Sequence, residues 1–147
     1  MTLHNWFLNN WLTPHKTSRQ EISDLFAVAD RDLSDCQSPG LSPDGKLNIA
    51  YNAALQAATA ALAAAGYRAA REAHHYRIIQ SLTYTIGAPS GLIAQFDQFR
   101  KKRNIGGYER AGIASDQEAK EMFSLAKNIR SDVETWLNQT HPELMEK

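Results

Sequence analysis

Apolar residues in this chain recur at intervals of three and four, and the residues between them mark where helices begin and end. Ile22, Leu25, Phe26, Ala29, Leu33 and Cys36 form one such stripe, the pattern of a helix with a single buried face. Ser18-Arg19-Gln20-Glu21 reads as a capping box just ahead of it. Gln37-Ser38-Pro39-Gly40-Leu41 breaks the stripe, because proline lacks an amide donor and glycine resists helix entropically. Ser42-Pro43-Asp44 opens a second helix, with Ser42 as N-cap and Pro43 at the first helical position. That helix runs to about Ala65, where Gly66 offers a left-handed stop. Nine of the thirteen residues from Ala53 to Ala65 are alanine, and side chains this short let neighbouring helices approach closely. The pattern predicts a central helix packed on more than one side.

A third helix is predicted from about Glu72 to Ile86, with Ile78, Ile79, Leu82 and Ile86 on its apolar face, ended by Gly87-Ala88-Pro89. Ser90 is expected to cap a fourth, in which Leu92, Ile93, Phe96, Phe99 and Arg103 share a face. A fifth starts at the capping box Ser115-Asp116-Gln117-Glu118, carries Ala119, Met122, Phe123, Ala126, Ile129, Val133, Trp136 and Leu137, and closes before Pro142. No alternation of period two is long enough to predict a sheet, and no repeat of solenoid length is present. The expected fold is all-α, an antiparallel bundle of about five helices with short connections. The bundle is assigned to residues 17–141, with a short tail at 142–147. Residues 1–16 stand apart as an amphipathic segment that holds Trp6 and Trp11. It is either a short helix covering one end of the core or a contact for a second copy or a partner.

Composition narrows the class without choosing a chemistry. A chain of 147 residues fits one domain. Sixteen basic and sixteen acidic residues cancel, which removes a global positive field but leaves room for a local basic site. The lone cysteine, Cys36, rules out an intramolecular disulfide and fits an intracellular chain. It closes an apolar stripe and is expected to pack rather than react. No run of about 18 apolar residues exists, so no membrane span is expected. The first residues lack the basic start of a secretory signal, so the expected location is the cytoplasm. There is no P-loop, dinucleotide glycine set, nucleophile elbow or His-Glu-x-x-His, and neither metal nor cofactor is expected.

The densest chemistry lies at Phe99-Arg100-Lys101-Lys102-Arg103-Asn104-Ile105-Gly106-Gly107-Tyr108. Four consecutive cations exceed one helical turn, so they cannot share a face. Cations at a helix C-terminus are favoured by the macrodipole, and a solvated helix end accounts for most of them. It does not account for Arg103 on the apolar stripe, where a guanidinium needs a carboxylate, a phosphate or a subunit boundary. His74 and His75 are either helix-surface histidines or, if the third and fourth helices pack antiparallel, auxiliary groups near this turn. Neither has a histidine or cysteine four residues away, so the helical zinc spacing is missing.

Arg103-Asn104 followed by Ile105-Gly106-Gly107-Tyr108, with Tyr51-Asn52-Ala53-Ala54, the alanine-rich helix, Gly66-Tyr67-Arg68 and His74-His75, resembles the HEPN superfamily of helical bundles over roughly Thr17 to Leu137. The resemblance implies a homodimer whose paired arginine motifs face one cleft. It implies metal-independent endoribonuclease chemistry or a descendant that only binds, in a toxin–antitoxin or defence setting, with a nucleotidyltransferase-type protein as a further partner. On that basis Arg103 binds phosphate, Asn104 orients it, and Arg100, Lys101 and Lys102 steer RNA. Tyr108 stands where the family places histidine. A phenol titrates near 10 and an imidazole near 6.5, so Tyr108 is a weak base that still stacks and donates a hydrogen bond. The tyrosine modified in antitoxin-paired members lies two residues further on, and Arg110 occupies that place. The expected function is therefore RNA-directed or nucleotide-related with weak or lost ribonuclease activity. The alternative is an inactive protein-binding scaffold.

Overall fold

The computed structural model describes residues 1–106 and 114–145, with residues 104–106 as backbone only. In chain order the elements are α1 (Leu3–Leu8), β1 (Leu12–Pro14), α2 (Arg19–Asp35), α3 (Pro43–Ala64), β2 (Tyr67–Ala69), α4 (His74–Ser81), α5 (Ser90–Gly106) and α6 (Asp116–Thr140). A 3-10 turn over Pro142–Leu144 follows. The protein is an all-α helical bundle with one small antiparallel ribbon. None of the described helices is long and apolar enough to cross a membrane.

The alanine-rich α3 is the centre. Ala50, Ala53, Ala54, Ala57, Ala58, Ala60 and Ala61 are wholly buried. Side chains that end at Cβ let α2 and α6 lie closely along α3, and these make the broadest helix contacts, with α4 and α5 covering less of it. Tyr51 is the exception in size within this helix, fully buried and edge-on to the Phe96 ring of α5 at 5.6 Å. Gly66, at φ 99°, ends the helix as expected.

Four local expectations need correction. The first is the absence of strands: β1 and β2 pair with Leu12 opposite Ala69 and Pro14 opposite Tyr67. Strands of three residues are too short for period-two alternation to register, and their partners lie far apart in sequence. The second concerns α2. Ser18 Oγ accepts from the Glu21 amide at 3.1 Å, but the Glu21 carboxylate turns away to Thr17 Oγ1 at 2.6 Å and His15 Nε2 at 2.7 Å. The box is half made, and its acid ties the ribbon's exit to α2. The third is the length of α4, which ends at Ser81, before a turn over residues 82–86. Ser81 Oγ donates to the Ile78 carbonyl at 2.6 Å, a side-chain bond that competes with helix continuation. Ser90 is also the first helical residue of α5 rather than its cap.

The N-terminal segment packs onto the core. Trp6 and Leu12 are buried, and Trp6 meets Trp11 and Tyr84 edge-on at 5.9 and 5.4 Å. It thus covers one end of the bundle. Cys36 is buried, with Sγ donating to the Leu33 carbonyl at 3.3 Å.

A buried carboxylate joins α2 to α3. Asp32 is 6% exposed; its Oδ2 accepts from Asn52 Nδ2 at 2.7 Å and its Oδ1 from Arg31 at 3.0 Å. Asp32→Ala leaves the half-buried Asn52 amide without this acceptor. The expected loss is about 1–3 kcal/mol, read from the urea midpoint. An unchanged midpoint would show that the bond is dispensable.

Candidate phosphate-binding site

Helix α5 presents its basic end to α3 and α4. The face carrying Phe96 and Phe99 is buried, and one turn beyond Phe99 the same face delivers Arg103 to the ring of Tyr51, guanidinium carbon 5.1 Å from the centroid. An aromatic face is the partner that the spacing did not suggest. A ring quadrupole attracts a cation without cancelling its charge. Arg103 makes no ion pair among the described residues, whereas the other cations of the run do. Arg100 Nε donates to Asp97 Oδ1 at 2.7 Å, and Lys101 Nζ lies 3.6 Å from Asp97 Oδ2. Lys102 is drawn to Glu118 of α6, the same acid that completes the second capping box with Ser115. Lys102 thus clips α5 to α6, and Asp97 takes up much of the charge of Arg100 and Lys101.

The two histidines separate. His74 turns its Nδ1 to the carbonyls of Ala69 and Ala70, both at 3.1 Å, and so ties the start of α4 to the ribbon. His75 joins the arginine: its Nδ1 lies 3.4 Å from the Tyr51 hydroxyl. With Nδ1 facing that hydroxyl, Nε2 is the nitrogen left for a ligand. It donates or accepts according to which of the pair carries the shared proton. Asn104 lies at the helix end where only backbone is described, and Tyr108 falls outside the described residues.

The electrostatics set the protonation states. Burial pushes the Tyr51 phenol up to about 12, against the opposing pull of Arg103 and Arg100. It stays protonated at physiological pH. Burial, and then the charge of Arg103, hold His75 below the ordinary histidine value. The site thus sets a cation held on a ring beside a neutral imidazole and a phenol. Such a group of side chains can bind a phosphate and accept a proton near it. Among the described residues no cluster of three or more His, Cys, Asp or Glu side chains is placed to hold a metal ion.

A pH dependence follows. The unfolded chain protonates its histidine near 6.5, above the folded value of His75. Between the two values the unfolded state binds more protons, so the stability from a neutral His75 is complete above about pH 6.5 and falls as pH drops through the folded value. Urea unfolding at about pH 7.5 and about pH 5.5 should show a loss on acidification that is smaller in His75→Gln. Equal losses in the two proteins would mean that the ring is not held neutral.

The sequence reading passed over Tyr51 as a site residue, together with Asp97. Asp97 carried a signal, since it stands three and four residues before Arg100 and Lys101, the helical ion-pair spacing. Tyr51 carried a weaker one, as the single aromatic residue in an otherwise small-residue helix.

No protein-family model, no curated protein and no solved structure matches this chain.

Proposed function

We propose that this protein is an RNA-directed helical module of the HEPN kind, acting in the cytoplasm in a toxin–antitoxin or defence setting, with weak or lost ribonuclease activity. The observation that carries the reading is the placement of Arg103, held on the Tyr51 ring with no carboxylate partner among the described residues and beside a neutral His75. A guanidinium fork suits a phosphodiester. A neutral imidazole next to it takes over in part the proton-accepting role that Tyr108 performs poorly. The homodimer implied by the resemblance would set two such sites facing one cleft.

The test is incubation with labelled total RNA in EDTA, beside Arg103→Ala and Tyr108→Phe, scored for both retention and cleavage. Retention or slow cleavage that Arg103→Ala removes supports the reading, and RNA neither bound nor cut by the wild type overturns it. A second reading, an inactive scaffold for a nucleotidyltransferase-type protein, is favoured by the pairing of Arg100, Lys101 and Lys102 with carboxylates. That pairing weakens the field a polyanion would meet. Capture of such a protein, with no RNA, would select it.

A further inference from the structure

Cations are held on aromatic rings well beyond Arg103. On α4, the residue two after His75 is Arg77, whose guanidinium carbon lies 3.7 Å from the centroid of the Trp11 ring and 5.4 Å from that of Tyr76. Tyr76 also lies 5.5 Å from the Arg100 guanidinium, and one helical turn along α5 from Arg100 stands Arg103 on Tyr51. A strip of rings and guanidiniums thus runs from the residue before β1 across α4 to α5, from Trp11 through Arg77, Tyr76 and Arg100 to Arg103 and Tyr51. Trp11, Tyr76, Arg77, Arg100 and Arg103 are each half-buried, so each is held by packing and still reaches solvent. Like Arg103, Arg77 makes no ion pair among the described residues. Asp97 engages Arg100, which leaves Arg77 and Arg103 as the cations of the strip with no ion pair among the described residues.

We propose that this strip is a track for single-stranded RNA, with Arg77 and Arg103 gripping backbone phosphates and unpaired bases stacking on the planes of Trp11, Tyr76 and the guanidiniums. The inference rests on the RNA-directed reading above and extends it to a substrate class and to the N-terminal segment. Two physical arguments choose the occupant. Arginines with no ion pair among the described residues leave their charge for a polyanion, and flat rings or guanidinium planes beside them are what sequence-tolerant single-strand binders offer to bases. A duplex keeps its base faces stacked inside, and the deep, narrow major groove of A-form RNA admits no side chains. It could use the charges but not the rings. Holding each arginine on a ring before RNA arrives also lowers the ordering cost of binding.

The experiment is fluorescence anisotropy with labelled oligouridine, and with the same strand annealed to oligoadenosine, on wild type, Arg77→Gln, Arg77→Lys, Trp11→Leu and Arg103→Ala. Far-UV circular dichroism and thermal unfolding are measured on each protein. The single strand is expected to bind at least about tenfold more tightly than the duplex. Arg77→Gln and Trp11→Leu should each weaken it about tenfold, and Arg77→Lys, which keeps the charge and loses the plane, by less than Arg77→Gln. Tryptophan emission should be quenched by oligouridine in the wild type and much less in Trp11→Leu, a change that a purely structural Trp11 would not produce. Should Arg77→Gln fail to fold, Arg77→Lys and the quenching decide.

Full affinity in folded Arg77→Gln and Trp11→Leu, with loss only in Arg103→Ala, would overturn the strip and leave the reading at Arg103 standing. Loss in Arg77→Gln, Trp11→Leu and Arg103→Ala alike upholds the strip, whereas Arg103→Ala unaffected overturns the two-arginine grip and the reading at Arg103 with it. Duplex binding as tight as single-strand binding overturns the strip. Absence of RNA binding by the wild type, or capture of a protein alone, overturns both.

Discussion

Arg103→Ala is expected to weaken RNA binding about ten- to hundredfold while leaving the fold nearly as stable as before. The first half follows from the kind of bond removed. Hydrogen bonds to charged groups contribute about 1.5–3 kcal/mol each, and a guanidinium offers a phosphate two at once. The second half follows from where the side chain rests. Its held contact among the described residues is the face of Tyr51, and a partly exposed cation–π pair of this sort is worth about 0.5–1 kcal/mol. Lys102 differs because it clips α5 to α6, so Lys102→Ala should act on stability before affinity. Arg103→Lys should recover part of the binding, since it keeps the charge and loses the fork. Anisotropy across a salt series is the measurement. Affinity that stays within twofold of wild type at low salt would remove Arg103 from the phosphate site.

Ala57→Leu is expected to cost the bundle a large part of its stability. Ala57 is wholly buried on the central helix, and leucine adds three carbons where α2 and α6 have closed in. Overpacking of this kind typically costs about 1–3 kcal/mol, occasionally more, because the neighbouring helices must move apart or side chains must leave their rotamers. Ala27→Leu on the exposed side of α2 is the control, and it should stay within about 0.5 kcal/mol. Urea denaturation followed by circular dichroism separates the two. A midpoint for Ala57→Leu that matches the control would show that α3 is loosely packed.

These two residues also show how far the sequence could be read. Alanine at 57 and its neighbours announced a central helix, because only small side chains let several helices share one axis. Ser42, Gly66 and Ser115 announced helix ends, because capping and left-handed geometry are local properties of a few residues. The basic turn was legible as charge and as an arginine out of place on an apolar stripe. Its partners were not, since Arg103 is answered by Tyr51, 52 positions away in the chain. Likewise the Ser18 box failed because Glu21 found better partners in Thr17 and His15, a choice made by the path of the ribbon rather than by the helix.

The sequence by itself determined that this chain is a helical bundle built around an alanine-rich helix, and that its basic residues gather near the end of one helix. Those properties depend on periodicity, side-chain size and caps, which act over a turn or two of chain. Only the tertiary structure decided that His75 and not His74 stands beside Arg103, and that Glu118 of α6 takes up Lys102. It likewise decided that Trp11 from the N-terminal segment reaches Arg77 on α4. Each of those pairings is a short-range contact between segments distant in sequence. It forms because packing the helices on α3 leaves each charged group one nearest partner, a ring face or a carboxylate, that no local pattern encodes.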